Sequence, residues 1–203
     1  MRGPVQRAMR LEYLTVGWNT LEVVVTIALG IASGSLALVA FGLDSLVEIF
    51  ASVTVLWQLH RGGVATPRAM AMVGIAFLAL AGLLLTSAAI ALAAGHEADD
   101  SPVGIAYLAV TALVMFLLAH QKRMLSLTLV NHPLATEARL TFLDGVLATS
   151  VLAALVANAL AGVWWADPLG AAVVGAVAIG EGIDAWRDSR DPSRMVEERN
   201  SGC

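Results

Sequence analysis

Long apolar stretches separated by short polar segments dominate the chain. A membrane-spanning helix needs ~20 mostly apolar residues, with ~17–25 tolerated, and six stretches meet this requirement. The runs are too long and too rich in alanine for the alternating strands of a membrane barrel. The pattern therefore predicts an all-α polytopic membrane protein with six transmembrane helices at Leu14–Ile31, Leu36–Leu59, Ala69–Ala94, Val103–Ala119, Leu134–Ala161 and Pro168–Trp186.

The basic residues predict an orientation for these helices. When the connections are numbered alternately, all 12 Lys and Arg residues fall on one side of the membrane. The other side has none of them and carries Glu97, Asp99, Asp100 and Asp167. Because cytoplasmic segments are enriched in Lys and Arg, both termini are expected in the cytoplasm. The location expected is the bacterial inner membrane.

The domain organisation predicted from this pattern is simple. Residues 1–186 form one transmembrane domain, and residues 187–203 form a short disordered cytoplasmic tail. The segment from His120 to Pro133 is predicted as the longest internal loop. The apolar run after the first arginines contains Asn19 and Glu22, so it does not resemble a cleavable signal peptide.

The composition excludes several functional classes. The chain has 203 residues, of which 58% are hydrophobic and 14% charged, whereas soluble domains carry about 25% charged residues. The net charge of −4 argues against nucleic-acid binding. The single cysteine, Cys203, excludes an intrachain disulfide and a CxxC metal site. No phosphate-binding glycine loop, HExxH or GxSxG motif occurs, so neither an enzyme nor a bound cofactor is expected.

Acidic residues inside the predicted spans are the strongest indication of function. A charge at the centre of a bilayer costs roughly 2.5–3.5 kcal/mol on insertion scales. Four acids, Glu22, Asp44, Glu48 and Asp144, nevertheless lie there, and no Lys or Arg is predicted at that depth to neutralise them. Such carboxylates must be protonated, wetted by a cavity or bound to a cation.

Asp44 and Glu48 are four residues apart and therefore share one face of a helix. Two carboxylates at this spacing repel each other unless a cation or a proton lies between them. A divalent ion bound there would expel protons, and protons would expel the ion, which is the physical basis of metal/proton exchange. Asp144 is expected to reach the same depth of the membrane, and Asn19 lies one turn from Glu22. His96 joins three acids in an outer loop, where a solvated acidic loop is the simpler interpretation.

Two segments resemble the cation diffusion facilitator family. The segment from Gly34 to Leu38 that leads into Asp44-Ser45-Leu46-Val47-Glu48 resembles the second helix of that family, and Trp165-Ala166-Asp167-Pro168 resembles the start of its sixth. Members are homodimeric antiporters that exchange zinc or related divalent metals for protons. The resemblance implies that Asp44, Glu48 and Asp144 bind the transported metal, because the family pairs two acids on the second helix with two ligands on the fifth.

The sequence departs from that family at two points. Leu140 occupies the position four residues before Asp144, where the family has a ligand. Thr141, Glu22 or Asn19 would then complete the site, and oxygen ligands alone suit ions such as manganese better than zinc. Only 17 residues follow Trp186, so this chain resembles the branch without the folded cytoplasmic domain. Dimer contacts would then come from the membrane helices.

The sequence therefore predicts a secondary transporter that exports a divalent metal ion in exchange for protons, in a lipid bilayer and as a homodimer. Two alternatives stay open at this point. One is a proton-coupled exporter of organic cations, in which Glu22 is the essential acid. The other is a membrane subunit that binds metal and regulates a partner without transporting it, which the missing ligand at Leu140 favours.

Overall fold

The computed structural model describes residues 2–33, 35–62, 66–95 and 102–191, and they form six α-helices without a strand. The helices are α1 (Arg2–Ser33), α2 (Leu36–His60), α3 (Pro67–Ala94), α4 (Pro102–Leu129), α5 (His132–Ala161) and α6 (Ala166–Arg190). The all-helical fold predicted from the sequence is confirmed, while the prediction that all six helices span a membrane stays a prediction. The acidic segment around His96 lies outside the described residues.

The predicted loop from His120 to Pro133 is wrong, because α4 continues to Leu129 and α5 begins at His132. The turn between them is short because Val130 adopts a positive φ of 47°, and the side chain of Asn131 accepts a hydrogen bond from the backbone N–H of Leu134. The polar residues from His120 to Thr128 belong to α4. Lys122 and Ser126 face the bundle interior from α4.

The other boundaries differ mainly at the ends. Helix α1 begins at Arg2 rather than Leu14, and α6 extends to Arg190 rather than Trp186. The first four residues of the predicted disordered tail, 187–190, are therefore helical, while residues 192–203 lie outside the described part of the chain. Such extension is consistent with a multi-pass membrane protein, because polar residues are tolerated in the headgroup region beyond the hydrocarbon core.

The helices form a closed ring with α2 and α5 extending into its centre. Going around the ring, α1 contacts α2, α2 contacts α3, α3 contacts α6, α6 contacts α5, α5 contacts α4, and α4 returns to α1. Helix α5 also packs across the ring against α2 and α3. More than half of the apolar window of α2 (61%) and of α5 (56%) is buried, against 28–39% for α1, α3 and α4.

Helices α1 and α2 approach each other closely at Gly42, two residues before Asp44. A Cβ atom at this position would lie only 2.7 Å from Cγ1 of Ile27 in α1. Glycine therefore allows the backbones of α1 and α2 to come together at the level of the acidic residues. The same contact brings the polar face of α1 against α2.

The surface of the bundle is apolar and much of its interior is polar. Leu160 is 83% exposed and Ile31 is 73% exposed, while Glu22, Asn19 and Glu137 are completely buried. Five helices among the described residues are long and apolar enough to cross a membrane. This is consistent with a multi-pass membrane protein. Helix α6 is not one of the five; its second half carries Glu181, Asp184 and Arg187.

Candidate cation site

Helix α2 positions two of the predicted site residues on its inward face. Asp44 and Glu48 are 2% and 1% exposed, and Ser52 follows one turn later on the same face. Nothing in α2 except its final His60 is basic. The pair therefore depends on neighbouring helices, or on a bound species, for any compensating charge.

Helices α1 and α5 bring the other two acids to the same place. Asp144 of α5 interacts electrostatically with Glu48, Glu22 and Asp44, and Glu22 of α1 is completely buried. These four residues, Glu22, Asp44, Glu48 and Asp144, are called the carboxylate cluster below. The structure thus brings together the acids that the sequence indicated, including Glu22.

Most oxygens of the carboxylate cluster have no hydrogen-bond partner. Both carboxyl oxygens of Glu22, Glu48 and Asp144 are buried and unpartnered, and so is Oδ2 of Asp44. A buried polar atom that is left unpaired costs about 1–3 kcal/mol, and more when it is charged. The cluster is therefore held by the fold at a cost that its own hydrogen bonds do not offset.

The acids are neighbours without being arranged as a finished metal site. In the described part of the chain, no three His, Cys, Asp or Glu side chains are positioned as ligands of one metal ion. Side-chain rotation would be needed before Asp44, Glu48 and Asp144 could share one ion.

The additional residues predicted for the site divide between two places. Asn19 is completely buried one turn from Glu22; its Nδ2 donates to the carbonyl of Thr15 at 3.0 Å, and its Oδ1 is unpartnered. Thr141 lies instead in a second polar cluster. Leu140 is 1% exposed and supplies no ligand.

The second cluster surrounds Lys122, which sequence reasoning placed in a loop. Its ammonium donates to Oε1 of Glu137 at 2.6 Å and to the Thr141 hydroxyl at 3.1 Å, and it forms an ion pair with Glu12 at 3.3 Å. Ser52 donates to the same Glu137 oxygen at 2.9 Å. These five residues, called the Lys122 cluster below, join α1, α2, α4 and α5, and Lys122, Glu12 and Glu137 are completely buried.

The sequence predicted no Lys or Arg at the depth of the four acids; Lys122 is buried in the adjacent cluster, where it pairs with Glu12 and Glu137 and interacts electrostatically with Glu48 of the four. Glu12 and Glu137 also belong to the buried acids, although sequence reasoning passed over both. The missed signal was periodicity. Spacings of three and four residues place a polar stripe on one face of α1, all of it completely buried: Glu12, Thr15, Asn19, Glu22 and Thr26.

The two clusters are adjacent within the bundle. Glu48 of the carboxylate cluster interacts electrostatically with Lys122. Ser52 is one turn from Glu48 on α2, and Thr141 is three residues from Asp144 on α5. A continuous polar interior therefore runs from the acids at the centre of the bundle towards the ends of α4 and α5 that meet at Asn131.

Comparison with known proteins does not identify a family. No protein-family model matches the chain, and no curated protein matches it. The resemblance of the second and sixth helices to cation diffusion facilitators therefore stays a prediction from the residues themselves.

Proposed function

We propose that this protein is a secondary transporter that exchanges a divalent metal ion for protons through the carboxylate cluster. The observation that carries the proposal is the set of buried, unpartnered carboxyl oxygens on Glu22, Asp44, Glu48 and Asp144. Acids at this depth need either a proton or a cation. A site that accepts either one exchanges them, because metal ligands must be deprotonated.

Asp44, Glu48 and Asp144 are the metal ligands in this proposal, and Glu22 takes the place of the absent ligand at Leu140. Asn19 supports Glu22 from one turn away. The ligand set then contains oxygen only, which favours a harder ion such as Mn²⁺ over Zn²⁺. Thr141 is already engaged by Lys122 and Glu137, so its role is to orient the fifth helix's polar face.

The transport cycle alternates access to this site. Metal enters from the cytoplasm and displaces protons, and protons from the other side then displace the metal. The proposal includes α6 as a sixth span, both termini in the cytoplasm of a bacterial cell, and a homodimer formed by the membrane helices. The segregation of all 12 basic residues supports this topology.

Flux in proteoliposomes with an entrapped metal-sensitive dye and an imposed pH gradient tests the proposal. Mn²⁺, Zn²⁺, Co²⁺ and Cd²⁺ are compared for wild type, Asp44→Asn and the matched control Asp184→Asn, whose carboxylate is 68% exposed on α6. We expect gradient-driven flux in wild type and the control and only background leak in Asp44→Asn. Normal flux in Asp44→Asn would refute the site.

The same samples separate the regulatory alternative. If wild type binds Mn²⁺ in calorimetry but moves no ion, and binding is lost in Asp44→Asn, the protein is a metal-binding subunit rather than a transporter. If neither binding nor flux is found for any of the four ions, the metal proposal is wrong.

An aromatic pair beside Glu22 favours export of organic cations as a second candidate. Trp18 of α1 stacks on Tyr107 of α4, with ring centroids 6.2 Å apart and planes 10° apart, and Tyr107 interacts electrostatically with Glu22. Aromatic faces next to an acid suit a lipophilic cation. Binding of tetraphenylphosphonium that requires Glu22 and Trp18 but not Asp44 would favour this candidate.

A further inference from the structure

Two cavities flank α4 near Lys122, at the end of the bundle where basic residues collect. The larger, about 460 Å³, lies between α4 and α5 and includes in its lining Phe116, His120, Arg123, Ala138, Arg139 and Phe142. The smaller, about 370 Å³, lies on the side of α4 facing α1 and includes Arg7 and Arg10. His120 lines both cavities.

The larger cavity has two arginines in its lining, Arg123 and Arg139, and only Arg139 is paired with an acid. Neither cavity has an acidic residue in its lining. Arg139 donates through Nη1 to Glu181 at 2.9 Å, which leaves other guanidinium N–H groups free to bind an anion, since arginine has five. Arg123 has no ion pair within the part of the chain that the structure describes, and its side chain is exposed. The cavity therefore has a surplus of donors for a negatively charged group.

The walls of the same cavity are apolar and continue onto the bundle surface. Phe116 and Phe142 pack with ring centroids 5.5 Å apart, and Phe142 is 50% exposed. Leu113 and Leu117, which lie on either side of Phe116 along α4, are 61% and 54% exposed. A ligand that fits both parts carries a negative headgroup beside the arginines and a long apolar chain along the phenylalanines and leucines.

We propose that this cavity binds an anionic phospholipid, with its phosphate between Arg123 and Arg139 and an acyl chain against Phe116 and Phe142. Basic pockets between membrane helices are suited to acidic headgroups. A free anion would gain nothing from the apolar walls. A second copy that met this cavity across a two-fold axis would bring the same arginines against these, and like charges would oppose that contact.

Native mass spectrometry and thermal unfolding of the full-length protein in detergent test this proposal, independently of transport. Dioleoylphosphatidylglycerol, dioleoylphosphatidylcholine and inorganic phosphate are added separately to wild type, Arg123→Gln and Arg123→Gln/Arg139→Gln. The control is Arg187→Gln/Arg190→Gln, which removes two arginines from α6 and leaves the cavity intact. Arg123→Gln keeps the Arg139–Glu181 pair, so it stays informative if the double variant folds poorly.

We expect phosphatidylglycerol to bind wild type and the α6 control in preference to phosphatidylcholine and to raise their unfolding temperature. One arginine near a headgroup contributes about a fivefold preference, so Arg123→Gln should lower the preference about fivefold and the double variant on the order of twentyfold. Three results would overturn the proposal: equal binding of the two lipids, equal stabilisation by inorganic phosphate, or an equal loss in the α6 control.

Discussion

The carboxylate cluster and the Lys122 cluster are buried side by side, yet they solve the problem of burying charge differently. Lys122 forms ion pairs with Glu12 and Glu137. The hydroxyls of Ser52 and Thr141 donate hydrogen bonds to Oε1 of Glu137. The carboxylate cluster has four acids and no basic residue of its own. A buried charge is tolerated when it is paired and hydrogen-bonded. The Lys122 cluster meets this condition in part, because its ammonium pairs with both acids while both oxygens of Glu12 and Oε2 of Glu137 have no hydrogen-bond partner. The carboxylate cluster meets it less well and needs a proton or a cation from outside.

This difference separates a structural role from an exchange role. Lys122 ties α4 to α1 and α5 through groups that are all completely buried, so the Lys122 cluster is expected to hold the bundle together. Glu22, Asp44, Glu48 and Asp144 make few bonds that stabilise the fold, so they stay available to an exchanging ion. Substitutions in the Lys122 cluster should therefore lower stability, whereas substitutions in the carboxylate cluster should lower transport and leave stability nearly unchanged.

The largest effect on stability is expected from Lys122→Met. Removing one partner of a buried ion pair costs about 3–5 kcal/mol, because the remaining charges lose their compensation. Chemical unfolding in detergent micelles, followed by circular dichroism, measures this loss. The adjacent exposed Arg123→Met is the matched control and should change little. A stable Lys122→Met protein would contradict the structural role.

Asp144→Asn is expected to act in the reverse manner. Because Asp144 interacts electrostatically with three other acids, neutralising it removes repulsion between like charges. The unfolding free energy should therefore stay unchanged or rise by about 1–2 kcal/mol, which corresponds to about one pKa unit. Metal flux should fall to the leak of empty liposomes. If Asp144→Asn destabilised the protein as strongly as Lys122→Met, the difference in role between the two clusters would be contradicted.

Ser52→Ala should have an intermediate effect. The Ser52 hydroxyl donates a buried hydrogen bond to Glu137. A hydrogen bond to a charged group contributes about 1.5–3 kcal/mol to the free energy of unfolding. The matched control is Ser150→Ala, because the Ser150 hydroxyl bonds only to the carbonyl of Val146 within its own helix. Equal unfolding free energies for the two variants would show that the Lys122 cluster does not depend on Ser52.

The smallest effect is expected from Glu181→Gln, which breaks the ion pair with Arg139. The Arg139 side chain is 63% exposed, and exposed ion pairs contribute about 0–1 kcal/mol. The difference in unfolding free energy between wild type and Glu181→Gln should be small at low salt and equal or smaller at high salt. A loss comparable to that of Lys122→Met would mean that burial is not what makes the Lys122 cluster strong.

Much of the fold could be predicted from local pattern. Each apolar run produced a helix, because a chain that buries its backbone in lipid must satisfy its hydrogen bonds within each segment. The boundaries were harder, since helices continue past the apolar core. The loop predicted between His120 and Pro133 is helical for most of its length. Its polarity is explained in part by Lys122, which faces other buried polar groups in the bundle.

The candidate site was predicted in part for the same reason. Asp44 and Glu48 stand out as acids in a long apolar run, and their spacing alone puts them on one face of a helix. The sequence did not predict Glu12 or Lys122 as buried residues, because Glu12 precedes the first predicted span and Lys122 lies in a predicted loop. Their pairing joins residues 110 positions apart, and a pairing at such a distance leaves no trace in either local pattern.

Hydropathy and helical period are properties of neighbouring residues, so the amino-acid sequence is enough to predict apolar helices and the acids within them. The tertiary structure decided which acids have a partner. Packing of α4 against α1 and α5 directs the one buried ammonium to Glu12 and Glu137. The same packing leaves Glu22, Asp44, Glu48 and Asp144 together with no ion pair of their own in the described part of the chain, and Lys122 interacts electrostatically with Glu48 from the neighbouring cluster.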